Sequence, residues 1–264
     1  MRKNFIWALC AVFPVVLADD HAATSVSTLE FKNRFMESGI VPEVIAAIDP
    51  SVSFYVGYRS GDHDELLVPG SNLTVSEASR PFEFSVENLN NATNVTAQTR
   101  FLIYLLDADA PSRNNPTARN QRYFLAGNYT RIGTNSTLLP TAEVLGVPNG
   151  QFQPFTCFIP PNPSPNTGVH RYIFALYIQP ARFNTAGFET AGMEATIENW
   201  NLSMWRTQLG LGPAIGATFF TIDTDNSSAV NADGTPGTST GPTIHASWGW
   251  TTVLMMTGGL LLGL

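Results

Sequence analysis

Residues 101–128 read FLIYLLDADAPSRNNPTARNQRYFLAGN, an apolar run that meets Asp107-Ala108-Asp109-Ala110-Pro111 and then resumes as RYFLAGN. The first run, with Arg100 before it, has no polar break, which predicts a strand buried on both faces. The two aspartates, Pro111 and Arg113 come where such a strand must end. Strand ends let polar groups converge while the apolar body stays packed.

Working outward, SVSFYVGY (51–58) alternates Val52, Phe54, Val56 and Tyr58 against Ser53, Tyr55 and Gly57, the period of a half-buried strand. PFEFSV (81–86), RYFLAGNYT (122–130), RYIFALYIQ (171–179) and PAIGATFFTI (213–222) read as further strands, with Gly, Pro and Asn between them. STLEFKNRFMESG predicts a helix: Ser27 and Glu30 form a capping box, Phe31 and Phe35 share a face, and Gly39 stops it. A second helix is expected over 193–210, with Ile197, Trp200 and Met204 on one face and Gly210 at its end. The expectation is a mostly-β domain with a few short helices.

Both termini read as processing segments. Arg2 and Lys3 precede the apolar run Phe5–Leu17, closing on Val16-Leu17-Ala18, so residues 1–18 read as a secretory signal peptide, with an N-terminal anchor helix as the competing reading. Residues 248–264 are uncharged and apolar, and residues 225–247 are rich in Ser, Thr, Gly, Asn and Pro. Small residues, a polar spacer and an apolar tail follow the order of a glycosylphosphatidylinositol attachment signal. Asn231, Asp233 and Gly237 are the candidate attachment residues, and a retained tail anchor is the alternative. The folded domain is then 19–224. Seven N-x-S/T triplets, headed by Asn72, Asn91, Asn94, Asn128, Asn135, Asn201 and Asn226, agree with export and a sugar-covered surface.

Several chemistries are set aside. A net charge of −7 with 14 Lys plus Arg argues against a nucleic-acid partner. Cys10 leaves with the signal peptide, so Cys157 stands alone; flanked by Phe155 and Phe158 it reads as packed, not as a nucleophile paired with His170. A calcium loop opening at Asp107 fails, because Ser112 holds its sixth position and Ala118 its twelfth. Zinc lacks ligands: His21, His63 and His170 are the histidines before the stalk, and only His170 adjoins a strand. The only G-x-S-x-G, 237–241, lies in the stalk. No P-loop or dinucleotide fingerprint occurs, and no metal or cofactor is expected.

A pocket remains. His170, Arg171 and Tyr172 open a strong strand after the proline-rich 159–172 stretch, opposite in kind to the acidic end at Asp107. A carboxylate, a histidine, a tyrosine and loop N–H groups suit a small anionic head group. The competing reading leaves Asp109 and Arg113 as a turn-fixing pair and His170 as a ring bonded to a carbonyl.

DADAPSR, followed some fifty residues later by PPNPSPNTGVHRYIFALYIQ, resembles the phosphatidylethanolamine-binding protein family, with its D-P-D-A-P-S-R segment and its G-x-H-R-Y segment leading to a glutamine. GIVPEVIAAIDPSVSFYVGY, LTVSEASRPFEFSV and ARFNTAGF…WRTQLGLGPAIGATFF extend the likeness over about 29–222. The resemblance implies a β-sandwich with a central β-fold and a few short peripheral helices, and a small pocket for phosphate or phosphorylated head groups. It puts Asp107, Pro111, His170 and Tyr172 on the pocket motifs, with Tyr123 beside them, and Asp109, Arg113 and Gly168 on the supporting turn.

Two positions depart from the pattern. Ala108 replaces a proline, which predicts a looser turn. Tyr123 stands where the family has histidine, and a tyrosine donates one hydrogen bond without the imidazolium charge. Arg122 restores that charge only if it points inward, and adjacent strand residues face opposite ways. Two functions follow: a non-enzymatic, surface-anchored binder of a phospholipid head group or small anion, or a protein-interaction module, such as a protease or signalling inhibitor, with a vestigial pocket. A hydrolase has the least support.

Overall fold

The computed structural model describes residues 23–60, 63–148, 154–181 and 197–225. The expected signal peptide, Cys10, His21, Asn226, the attachment candidates Asn231, Asp233 and Gly237, and the apolar tail lie outside the described residues. The described residues form ten strands: β1 (Ser53–Ser60), β2 (His63–Leu66), β3 (Ser71–Asn72), β4 (Glu83–Glu87), β5 (Phe101–Asp107), β6 (Gln121–Asn135), β7 (Glu143–Gly146), β8 (Pro154–Thr156), β9 (Val169–Ile178) and β10 (Gly216–Asp223). Among the described residues three α-helices accompany them: α1 (Thr28–Glu37), the short kinked α2 (Ile40–Glu43) and α3 (Leu202–Leu209).

The strands form one curled sheet in the order β2-β1-β4-β7-β6-β5-β9-β10-β3, with β8 added to β6. All neighbours are antiparallel except β3 and β10. The long β6 makes the curl: its first part pairs with β5 and its last part with β7. The two halves meet again where Ser51 and Val52 N–H donate to the Ile215 carbonyl (2.9 and 3.0 Å). Gly216 permits that meeting, because a Cβ there would lie 2.8 Å from Val52 Cγ2 and 2.9 Å from Phe54 Cβ.

Strand periodicity sorts the apolar side chains into two layers. Phe101, Ile103 and Leu105 of β5 face the interior between the halves, with Phe54, Phe84, Phe174 and Phe220. Leu102, Tyr104 and Leu106 face the other way, under Phe35, Trp205 and Leu209 of the helices. All seven residues of β5 are buried, as its unbroken apolar run predicts. Each such aromatic or aliphatic side chain contributes about 1.5–3 kcal/mol by leaving water.

Helix α1 has the expected cap, Glu30 N–H donating to Ser27 Oγ at 3.2 Å, and it buries Phe31 and Phe35. The second helix is shorter than expected. It begins at Leu202, where the Asn201 side chain accepts from Met204 N–H at 2.9 Å, and Asn199 before it takes the left-handed conformation. The cap resets the register, so Leu202, Trp205 and Leu209 are buried and Met204 is exposed.

Candidate functional site

The site grows from the β5–β9 ladder, in which Asp107 faces Tyr172 and Leu106 faces Ile173. Ala108 extends the ladder by one rung, its N–H donating to the Arg171 carbonyl at 3.0 Å. A proline could not make that bond. The expected loosening at Ala108 is therefore offset by a hydrogen bond, and the residue is fully buried.

Beyond the ladder the two aspartates part. Asp107 Oδ2 accepts from His170 Nδ1 at 2.9 Å, and its Oδ1 accepts from the Asp109 N–H at 2.7 Å. Asp109 takes the next β9 residue, accepting from Arg171 N–H (3.0 Å), Nε (2.8 Å) and NH2 (2.7 Å). All four side chains are at most 2% exposed. Arg171 reaches on to the Ser38 carbonyl at 3.0 Å and Glu43 at 3.1 Å. Glu43 also accepts from Arg119 at 2.6 Å and lies 3.5 Å from Arg113. The hydrogen bond from Arg171, then the one from Arg119, hold the Glu43 carboxyl down at about 2 against partial burial.

On the His170 side, the Tyr172 ring lies nearly parallel to the imidazole at 6.3 Å, and Tyr123 meets Tyr172 edge-on at 5.5 Å. The Tyr172 hydroxyl is buried and has no partner at hydrogen-bonding geometry. Burial, then the Asp107 charge, raises its pKa far above the ordinary range. The same causes push Tyr123 to about 12, so both stay neutral hydroxyl donors at physiological pH. Arg122 points the other way, onto Trp200 (5.2 Å) and Phe155 (5.7 Å), with Nε donating to Thr156 Oγ1 at 2.7 Å. It does not restore the charge that Tyr123 lacks.

The sequence profile of the phosphatidylethanolamine-binding protein family matches residues 64–219, more than half of the chain. The chain belongs to the phosphatidylethanolamine-binding protein family. A "26 kDa secreted antigen" of Toxocara canis is 25% identical over 189 residues, 70% of this chain. The chain spans 62% of that relative's length. Among solved structures, carboxypeptidase Y inhibitor complexed with its cognate proteinase aligns at TM-score 0.61 and 20% identity, covering 75% of this chain and 97% of the inhibitor. The phosphatidylethanolamine-binding protein of Plasmodium vivax aligns at 0.54 and 16%, covering 72% and 95%. The mostly-β architecture with few short helices is thus the architecture of this family.

Of the residues expected from the family motifs, Asp107, His170, Tyr172 and Tyr123 come together. Pro111 lies on the exposed turn beyond them, after a cis Ala110–Pro111 bond. Asp109 and Arg113 do not pair; Asp109 holds Arg171, and Arg113 turns to Ser38 and Glu43. Gly168, with φ at 82°, donates its N–H to Asp225 Oδ1 (3.1 Å) and ties the β9 approach to the end of β10. That tie presents Thr167, whose Oγ1 lies 2.8 Å from His170 Nε2, a contact sequence reading missed. Glu43 and Arg119 were missed as well. Cys157 is exposed, which corrects the expectation that it packs between Phe155 and Phe158; the phenylalanines flank it in sequence, but β8 ends at Thr156, one residue before it.

Asn72, Asn91, Asn94, Asn135 and Asn201 are exposed. Asn128 is half-buried in β6, its amide oxygen accepting from Arg100 (2.8 Å) and Gln179 Nε2 (3.0 Å). Among the described residues there is no cluster of three His, Cys, Asp or Glu side chains able to hold a metal, and no helix long and apolar enough to cross a membrane.

Proposed function

We propose that this chain is a non-enzymatic binding protein that acts outside the cell and holds a small anion or phospholipid head group at the Asp107–His170–Tyr172 end of the sheet. The observation that carries this reading is the buried Tyr172 hydroxyl without a hydrogen-bond partner, beside Tyr123 and the Asp107–His170 pair. A ligand oxygen reaching this end would find the Tyr172 and Tyr123 hydroxyls close to one another and to Asp107. Asp107 suits a head-group ammonium, and the hydroxyls of Tyr123 and Tyr172 suit phosphate oxygens. Pro111 edges the site, and Asp109, Arg113 and Gly168 hold its turns.

Residues 1–18 direct export in this reading, 19–224 form the binding domain, 225–247 the stalk and 248–264 the tail exchanged for a glycosylphosphatidylinositol anchor at Asn231, Asp233 or Gly237. Sugars occupy exposed sequons such as Asn91 and Asn94. The secreted nature of the Toxocara relative supports export.

A second reading has the chain act by protein contact, as a protease inhibitor, with a vestigial pocket. It is favoured by Tyr123 in place of histidine, and by His170 having both ring nitrogens engaged, with Asp107 and Thr167. Calorimetric titration of the full chain with phosphoethanolamine, inorganic phosphate and short-chain phosphatidylethanolamine separates the two. Saturable binding that is lost in His170→Ala supports the pocket. No binding by a folded protein turns the assignment to protein partners.

A further inference from the structure

A cavity opens on a part of the sheet away from the Asp107–His170 pair. It encloses about 410 Å³, within the 300–1,000 Å³ typical of small-molecule sites. Its walls are Phe84 of β4, Phe124 and Tyr129 of β6 and Phe158, with Arg80 and Cys157 also lining it. None of Asp107, Tyr123, His170 or Tyr172 lines it.

The walls are a built aromatic surface. Phe84 and Phe124 stack at 6.1 Å, Tyr129 meets Phe84 edge-on at 5.5 Å, and Phe158 tilts against Phe124 at 6.0 Å. Such rings favour an apolar body over water. Arg80 is exposed, and its guanidinium has no carboxylate partner among the described residues. It stands close enough to Tyr129 for its charge to oppose the upward push that burial gives that hydroxyl. An unpaired cation beside an aromatic cavity is charge-complementary to one ligand class.

We propose that this cavity binds a single-chain amphiphile with an anionic head, the chain among Phe84, Phe124, Tyr129 and Phe158 and the head on Arg80. It is a site separate from the Asp107–His170 end. A fatty carboxylate and a single-chain phospholipid share this chemistry.

Cys157 supplies the readout, since it is a free, exposed cysteine among the residues that line the cavity. Thiol-reagent labelling of the full chain is followed with decanoate, decyl phosphate, decanol or inorganic phosphate, each below any micelle concentration, and Cys157→Ser reports labelling elsewhere. Decanoate or decyl phosphate slows Cys157 labelling saturably, and the tighter of the two identifies the head. Arg80→Gln, a change at an exposed position, weakens that anion by about tenfold or more and leaves decanol unchanged, as loss of a charge-assisted bond requires. Phe158→Ala weakens all three chains. The site is overturned if neither decyl anion protects Cys157, if Arg80→Gln binds them as the parent does, or if inorganic phosphate alone gives the protection.

Discussion

Two carboxylate pairs sit side by side at the end of β5, and they differ in kind. Asp109 and Arg171 are joined through three nitrogens and tied onward to Ser38 and Glu43. Asp107 and His170 are joined through one contact and face two tyrosines, one with an unmet hydroxyl. The partners are neighbours on β9, and strand alternation sends them to opposite faces. One pair closes the structure and the other is left with chemistry to offer. A polar residue at a strand end is thus read by what it lacks as much as by what it holds.

The difference should be largest in stability. Asp109→Ala strands the buried Arg171 guanidinium and is expected to cost about 3 kcal/mol, the lower end of the range for breaking a buried pair, because Glu43 and Ser38 still hold Arg171. Urea denaturation measures it. A loss below about 1 kcal/mol, in the range of an exposed ion pair, would erase the distinction between the pairs.

Thr167→Val removes the contact at His170 Nε2 and is expected to cost about 1 kcal/mol. The same denaturation experiment shows whether the His170 side is the weaker clamp. A cost equal to that of Asp109→Ala would make His170 a structural anchor.

The smallest effect sits at the outer edge of the clamp. Glu43 is about a third exposed, so Glu43→Gln is expected to cost less than about 1 kcal/mol at neutral pH. Its folded pKa lies at about 2, below the ordinary 4.5. The Glu43 contribution is therefore complete above about 4.5 and disappears as pH falls toward 2. Denaturation midpoints taken across that window should fall less steeply in Glu43→Gln than in the parent. Parallel curves would place the acid sensitivity elsewhere.

Much of the framework was legible in the chain. Alternation marked β1 and the core face of Val52, Phe54, Val56 and Tyr58, but not that Ser53 and Tyr55 on the other face are buried as well, Tyr55 against Phe31 of α1; the unbroken run marked β5 as buried on both sides. The Ser27 cap marked α1, and the acidic and His-Arg-Tyr segments marked the ends that converge. Those features are local: a period, a cap or a motif is complete within a few residues.

The short strands β2, β3, β7 and β8 were not legible, because two to four residues carry no period and exist through their partners. Nor was the choice of partner. Arg171 lies 62 residues from Asp109 and 128 from Glu43, and Asp109 prefers it to Arg113, only four residues away. The exposure of Cys157, the contact from Thr167 to His170 and the aromatic cavity that Arg80 helps to line belong to the same class. The residues by themselves determined which longer segments are strands and which side chains are able to do chemistry. The curl of the sheet decided which of them meet, because those contacts join positions whose distance in space the order of residues does not encode.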